Sequence, residues 1–404
     1  MYAVIIAAVL AITSFSIKPN PKALGADAVL EHAVDDADFV LHVDVSATVG
    51  ANYGVLAKLS EDTLIKQVPE LREHITEVVM QIESGRAMAK TMVGFDPVTD
   101  ISSLTAFVKM RAGMPQPDFL VVVRGTLPAD LPGALAKTMG GKTGTVDGRS
   151  TATMPDGSMM GTSKSGALVV GKADWVAARI ADGWKAPART KGSTWARIAT
   201  ALDAKPFFVV ASKPSAELVK TMTKDLGDNF GRDLLANHTV AVFAASATGV
   251  AWTYEAKDAA FAMRMVTASK GLIDLMRAAH LAPRGVAQVA VAALPSYARM
   301  SKEIDAVVAA KDQLMSAVWD LTGDGKFAAK VKVDGNLVTV TATGKKFSDV
   351  VPSSLVVGLG AIGFITTRGG EKSEAGSVRS GSGSGAKPVA PRSGGGLGTP
   401  VKPK

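Results

Sequence analysis

The chain predicts an α+β fold of two similar βαββα halves, with antiparallel sheets, helices on one face, an amino-terminal apolar helix and a disordered basic tail. Three observations carry this: strands spaced as hairpins, single amphipathic helices between them, and one element order that recurs in each half. In the first half, DFVLHVDV (residues 38–45) alternates as a half-buried strand. Phe39, Leu41, Val43 and Val45 fall on the inward face, and Val40, His42 and Asp44 on the other. PELREHITEVVMQIES follows, with Pro69 suited to a first helical turn and Leu71, Ile75, Val78, Val79 and Ile82 at helical spacing. The strands LTAFVKM (104–110) and DFLVVVRG (118–125) and a short helix over 130–139 complete the unit. Further strands are expected over 144–171, with a turn at Pro155-Asp156-Gly157.

The second half repeats the order: the strand PFFVVAS (206–212), a helical stretch over 215–235, the strand pair TVAVFAA and GVAWTYEA, and a long helix over 257–279. That helix points Phe261, Met265, Leu272, Ile273 and Met276 inward. It gains a helix over 295–321 and the hairpin FAAKVKVDGNLVTVTA, turning at Asp334-Gly335. Length fits two average domains, and the boundary falls between Trp184 and Lys205, where KAPARTKGS supplies Pro, Gly and charge. The expected organisation is an apolar segment at 1–17, a linker at 18–36, halves at 37–190 and 191–349, a second apolar segment at 350–367 and a tail at 368–404.

The opening MYAVIIAAVLAITSFSI spans about 25 Å as a helix, just short of a bilayer core of about 30 Å. No basic residue precedes it and the best small-x-small site, Ala23-Leu24-Gly25, lies far downstream, so an uncleaved signal-anchor is favoured over a cleaved signal. The stretch VVPSSLVVGLGAIGFITT (350–367) is a candidate second span, or a segment that closes the body. If both span, the basic tail lies inside and the body outside, as the positive-inside rule asks. The Gly/Ser/Pro-rich tail cannot bury enough apolar area to offset its ordering entropy.

Composition narrows the function classes. The 404 residues are 47% hydrophobic but only 5% aromatic, with 16 Met, so the core rests on aliphatic packing. The net charge is +8, of which the tail carries +5, leaving a body too near neutral for a nucleic-acid surface. Without cysteine there is no disulfide, no thiolate metal site, no Cys nucleophile and no lipidated Cys at the amino end.

Several motifs imitate known chemistry. Gly358, Gly360 and Gly363 match GxGxxG after an apolar run, but they lead into the tail instead of a βαβ helix, so no nucleotide is expected. Gly141-Lys142-Thr143 resembles the end of a phosphate loop, yet its first glycine would fall at Ala136 inside a helix. Lys142-Thr143-Gly144 lacks an upstream Ser-x-x-Lys, and a polar turn is the better account. Asp320, Thr322, Asp324 and Gly325 imitate half a calcium loop, but its twelfth position is Val331, which supplies no carboxylate. Glu31, His32, Asp35, Asp36 and Asp38 have ligand chemistry without a scaffold and read as a solvated lead-in. His32, His42, His74, His238 and His280 are scattered and read as surface or satisfied histidines. No catalytic residue, cofactor site or metal site is assigned.

The stretch GFDPVTDISSL (94–104), the strand PDFLVVVRG and the later GALVVG resemble the layout of uncharacterised, envelope-exported bacterial proteins with a single amino-terminal anchor. Asp96-Pro97 and Asp100 are expected to form a turn and cap. The resemblance implies a bacterial envelope or periplasmic location and lends no activity. The resulting expectation is a non-enzymatic, membrane-tethered extracytoplasmic protein that binds a protein or envelope component. The alternatives are an exported hydrolase with a site between the halves, or an accessory subunit of a membrane complex.

Overall fold

The computed structural model describes residues 20, 22–58, 61, 66, 69–111, 116–224, 230–293, 309, 311–312, 315–316 and 326–351. The opening segment 1–17, most of the helix expected over 295–321, the calcium-like motif, the GxGxxG motif and the tail lie outside the described residues.

The described chain begins with α1 (Ala26–Val29), β1 (Phe39–Asp44), a π-helical turn (Ser46–Gly50), α2 (Ala51–Lys58) and α3 (Pro69–Val93). Then come β2 (Ile101–Lys109), β3 (Asp118–Gly125), α4 (Leu131–Met139), β4 (Lys142–Val146), β5 (Arg149–Thr153), β6 (Ser158–Thr162) and β7 (Leu168–Lys172). Helices α5 (Ala173–Ile180) and α6 (Thr194–Asp203) lead to β8 (Phe208–Ser212), α7 (Ala216–Lys224), α8 (Phe230–Ala236), β9 (His238–Ser246) and β10 (Gly249–Ala256). The long α9 (Ala259–Ala293) and the hairpin β11 (Ala328–Asp334) and β12 (Leu337–Thr343) follow. The fold is therefore α+β, with helices set around a large antiparallel sheet.

All twelve strands form one sheet in the order β11-β12-β10-β9-β8-β1-β2-β3-β7-β6-β5-β4. The join between the halves is the antiparallel pair β1 and β8, where Leu41 faces Val210. The expected boundary at 184–205 is not a gap, because α6 lies in it and buries Trp195, Ile198 and Leu202 in the core. Its start was readable: Ser193 caps it by accepting from the Ala196 amide at 3.1 Å. The β11–β12 turn sits one residue later than expected. Asp334 pairs with Leu337, so Gly335, at φ +60°, and Asn336 make the bend.

Helices cover both faces, contrary to the one-faced expectation. Val40, Phe107, Leu120, Val122, Val209 and Val242 point to a front face, packed by α1, α5 and α6. On the back face, α9 covers β10 and β12 through Phe261, Met265, Ile273 and Met276. There α4 covers β5 to β7 through Leu131 and Ala136. Leu272, expected inward, is instead exposed.

The expected inward face of β1 is also reversed. Val40, His42 and Asp44 are buried, whereas Leu41 on the other face is 38% exposed. The buried side is affordable because its polar groups find partners: Thr105 for His42, and the Ala47 amide and Asn20 for Asp44. The segment 24–37, expected as a solvated lead-in, is a strap in the front core. Val29, Leu30, Ala33 and Val34 are at most 2% exposed.

The turn at Asp96 to Asp100 forms as expected. Asp96 accepts from the Val98 amide, Asp100 accepts from the Asp96 amide, and Arg86 of α3 clamps Asp96 through two hydrogen bonds. That bidentate pairing holds the Asp96 carboxyl down to about 2. On α3, Ile75, Val79 and Ile82 are only half-buried, and Met80, Met88 and Met92 are exposed. The side chains of Leu71, His74 and Val78 lie outside the described set.

Candidate binding face and the polar layer opposite it

The register of the five central strands lines up three rows on the back face. One row runs Val121, Ala106, Leu41, Val210, Phe243; a second runs Phe119, Val108, Phe39, Ser212, Ala241; a third runs Val123, Leu104, Val43, Phe208, Ala245. Ser212 is the single polar side chain among these fifteen. Alternation along each strand sends every second residue to this face. In this way β1, read in the sequence as half-buried, contributes its apolar half to it.

Although apolar, this floor is not closed. Leu41, Phe119 and Phe243 are each close to two-fifths exposed, and every other member except Ala245 is partly exposed. Phe208 and Phe243 meet edge to face at 6.3 Å, so the aromatic surface is ordered from within the sheet. The covered wings lie on either side, α4 over β5 to β7 and α9 over β10 and β12. Such a contiguous apolar area, rimmed by helices, is the kind of surface that proteins use to bind other macromolecules. On α9 itself, Leu275, Leu281, Val286 and Val289 are exposed as well.

The opposite face of the same strands carries a buried polar layer. His42 Nδ1 lies 3.0 Å from Thr105 Oγ1, and both residues are at most 3% exposed. Asp44, two residues on, accepts from the Ala47 amide and from Asn20 Nδ2, each at 2.8 Å. Burial drives the His42 imidazole down to about 4, with the Asp44 charge opposing and Arg124 adding to the fall. A hydroxyl beside a neutral imidazole and a carboxylate has the components of a nucleophile and base. Here the pair is enclosed, since neither His42 nor Thr105 is more than 3% exposed.

Next to this layer, Arg124 of β3 reaches the strap. Its Nη2 donates to the Ala28 carbonyl at 2.8 Å and to Glu31 Oε2 at 2.5 Å. Arg179 of α5 donates to the Ala33 carbonyl at 3.3 Å and stacks on Trp184 at 4.2 Å. Trp184 Nε1 in turn donates to the Glu31 carbonyl at 2.8 Å. His32 is 2% exposed, and neither ring nitrogen has a hydrogen-bond partner. Burial lowers it to about 4, against the pull of Glu31 and with the push of Arg124 and Arg179.

The residues singled out in the sequence therefore scatter. His238 is bonded to the Leu234 carbonyl and Ser212 Oγ, and His280 lies near the Val350 carbonyl, both buried and away from His42. Asp38 is buried and bonds two amides, while Asp36 pairs with Lys109 on the surface. No group of three His, Asp or Glu side chains among the described residues is arranged to hold a metal ion. Lys142, Thr143 and Gly144 form the outermost strand β4, not the polar turn expected; the turn is at Gly140, with φ +73°. Sequence reasoning missed Thr105, Arg124 and Arg179. A lone Arg ending the apolar strand DFLVVVRG was the available signal.

No family model and no curated protein matches the chain. Among solved structures, crystal form I of TP0453 aligns with a TM-score of 0.31 and 10% identity, covering 81% of this chain and 94% of that one. A likeness this remote carries no functional argument.

Proposed function

We propose that this chain is a non-enzymatic, membrane-tethered extracytoplasmic protein of the bacterial envelope that binds a protein partner through the back face of its sheet. The observation that supports this reading is the open apolar floor of β3, β2, β1, β8 and β9, whose three rows carry one polar side chain. With every strand of the floor paired on both sides, the face offers side chains and no free backbone edge. A partner therefore docks by apolar contact, as an amphipathic helix does on a groove, and not by strand addition.

The same reading includes an internal duplication. A two-fold rotation normal to the sheet between β1 and β8 would exchange β1 with β8, β2 with β9 and β3 with β10, and α4 with α9; the strand order supports this. The floor then lies at the axis where the copies meet. The tether is the apolar opening 1–17, and the stretch 350–367 is a candidate second span. No helix among the described residues is long and apolar enough to cross a membrane.

A photo-crosslinking side chain at Phe243 or Phe119 of the full chain, activated in intact envelopes, should give a discrete protein adduct, and Leu41→Glu should abolish it with the fold intact. Adducts to lipid alone, or none at either position, would refute the binding role. Fractionation with protease protection of tags after residue 17 and at residue 404 tests the tether separately. The hydrolase alternative draws on His42 and Thr105 and requires their layer to open; loss of a measured hydrolytic activity in Thr105→Val would favour it.

A further inference from the structure

The strap 24–37 is held on the sheet by apolar burial and by polar clasps; Arg189 on Asp27, Lys109 on Asp36 and Lys213 on the Asp35 carbonyl are exposed, and the others gather around His32. Arg124 binds the Ala28 carbonyl and Glu31, Arg179 binds the Ala33 carbonyl, and Trp184 binds the Glu31 carbonyl. His32 lies among these clasps yet takes no hydrogen bond itself, and its Nε2 stands 3.7 Å from Glu31 Oε2. A buried polar ring with both nitrogens unpartnered lowers the stability of whatever it is packed into. It remains because the neutral ring fits and the apolar neighbours Val29, Leu30 and Val34 outweigh it.

We propose that this strap is an acid-sensitive latch: protonation of His32, enclosed by Glu31, Arg124 and Arg179, unseats residues 26–37 from the sheet while the sheet itself stays folded. The charged groups facing His32 are Glu31 on the strap, Arg124 on β3 and Arg179 on α5. An imidazolium there places a third positive charge beside two guanidinium groups, with a single carboxylate to offset it. Glu31 is already shared with Arg124 at 2.5 Å, and the acids that act on Arg179, namely Asp35, Asp36 and Asp174, do not act on His32. Arg124 also faces His42, whose other charged neighbour is Asp44, so acid loads the same guanidinium from two sides. The expelled state is solvated, and there His32 regains an ordinary affinity for protons.

The size follows from linkage. With the closed-state value near 4 and an open-state value near 6.5, the opening constant of the strap rises about twentyfold between pH 7 and pH 5. Hydrogen exchange of the Leu30, Ala33 and Ala37 amides, which bond within the strap, reads this opening in the full chain once intrinsic rates are corrected. The expected result is a loss of protection of that order at pH 5, while Val242 and Thr253 in the sheet keep theirs. In His32→Phe, which fills the site without titrating, the pH dependence of the strap should vanish. Equal pH dependence in wild type and His32→Phe overturns the latch, and so does loss of strap and sheet protection in step. If His32→Phe does not fold, the His32 ring signals decide. Titration below pH 5 supports the proposal, and titration at an ordinary 6.5 overturns it.

Discussion

Replacing Asp38 should damage the molecule more than any other single carboxylate, because its two oxygens tie segments far apart in the chain. One oxygen accepts from the Met110 amide at 2.9 Å, at the end of β2, and the other from the Ser215 amide at 2.7 Å, at the start of α7. The residue is fully buried. Its backbone continues the same job, since its N–H donates to the Val108 carbonyl and its carbonyl accepts from the Lys213 amide. Asp38→Ala keeps those backbone bonds and leaves the Met110 and Ser215 N–H groups, both only part-buried, without their acceptor. At about 1–3 kcal/mol for each group left unpaired, the cost is about 4 kcal/mol. Asp38→Asn retains one carbonyl acceptor but sets an NH2 against the second amide, and should cost about 2 kcal/mol. Urea unfolding followed by circular dichroism measures both, with the midpoint falling and the slope unchanged. A loss below about 1 kcal/mol for Asp38→Ala, or an equal loss for the two variants, would show that the carboxylate does not clamp these segments.

Acid should destabilise the fold through its buried histidines. His32 and His42 have folded-state values near 4 against about 6.5 unfolded, so the unfolded chain binds more protons. The stability is whole above pH 6.5 and is lost as pH falls toward 4. At pH 5 the loss is about 2 kcal/mol for each ring, and urea midpoints at pH 7 and pH 5 will show it. Gly171→Ala should cost about 3 kcal/mol or more, since at φ +150° its Cβ would stand 2.1 Å from the Phe119 carbonyl oxygen and part β7 from β3. Gly335→Ala, also at positive φ but with open space around it, should cost about 1 kcal/mol in the same assay. Phe107→Ala removes a fully buried ring that meets Trp195 edge-on at 6.5 Å, and should cost about 3–5 kcal/mol by chemical denaturation.

Most strands were legible in the sequence because their periodicity is local. The patterns of DFLVVVRG and GVAWTYEA match β3 and β10, and the helix read over 257–279 covers the first three-fifths of α9. What the sequence hid depends on the second layer. In β1 the apolar set Phe39, Leu41 and Val43 invited an inward reading, but a strand in the middle of a sheet covered on both faces has no single inward side. Thr105 and the Ala47 amide, distant or across a turn, decided it. The strap failed for the same reason: its acids and His32 look solvated until Arg124 and Arg179 are placed beside them. Helix α6 was legible, with a Ser cap and Trp195, Ile198 and Leu202 at helical spacing, and was overlooked because the preceding Pro and Gly read as a boundary. Of the candidate face, the residues of each strand were visible, but the pairing of β1 with β8 that joins them was not.

That pairing also sets a timetable for synthesis. β1 emerges early and gains β2 after about 60 residues, but its other edge stays bare until residues 208–212 arrive. For that interval Phe39, Leu41 and Val43 belong to a nascent chain with an open strand edge, the condition that invites wrong partners. Among the described strands this pairing has the highest sequence separation, and contacts of high separation are the ones that slow folding, so a chaperone that shields one hydrophobic strand until β8 is made would act here.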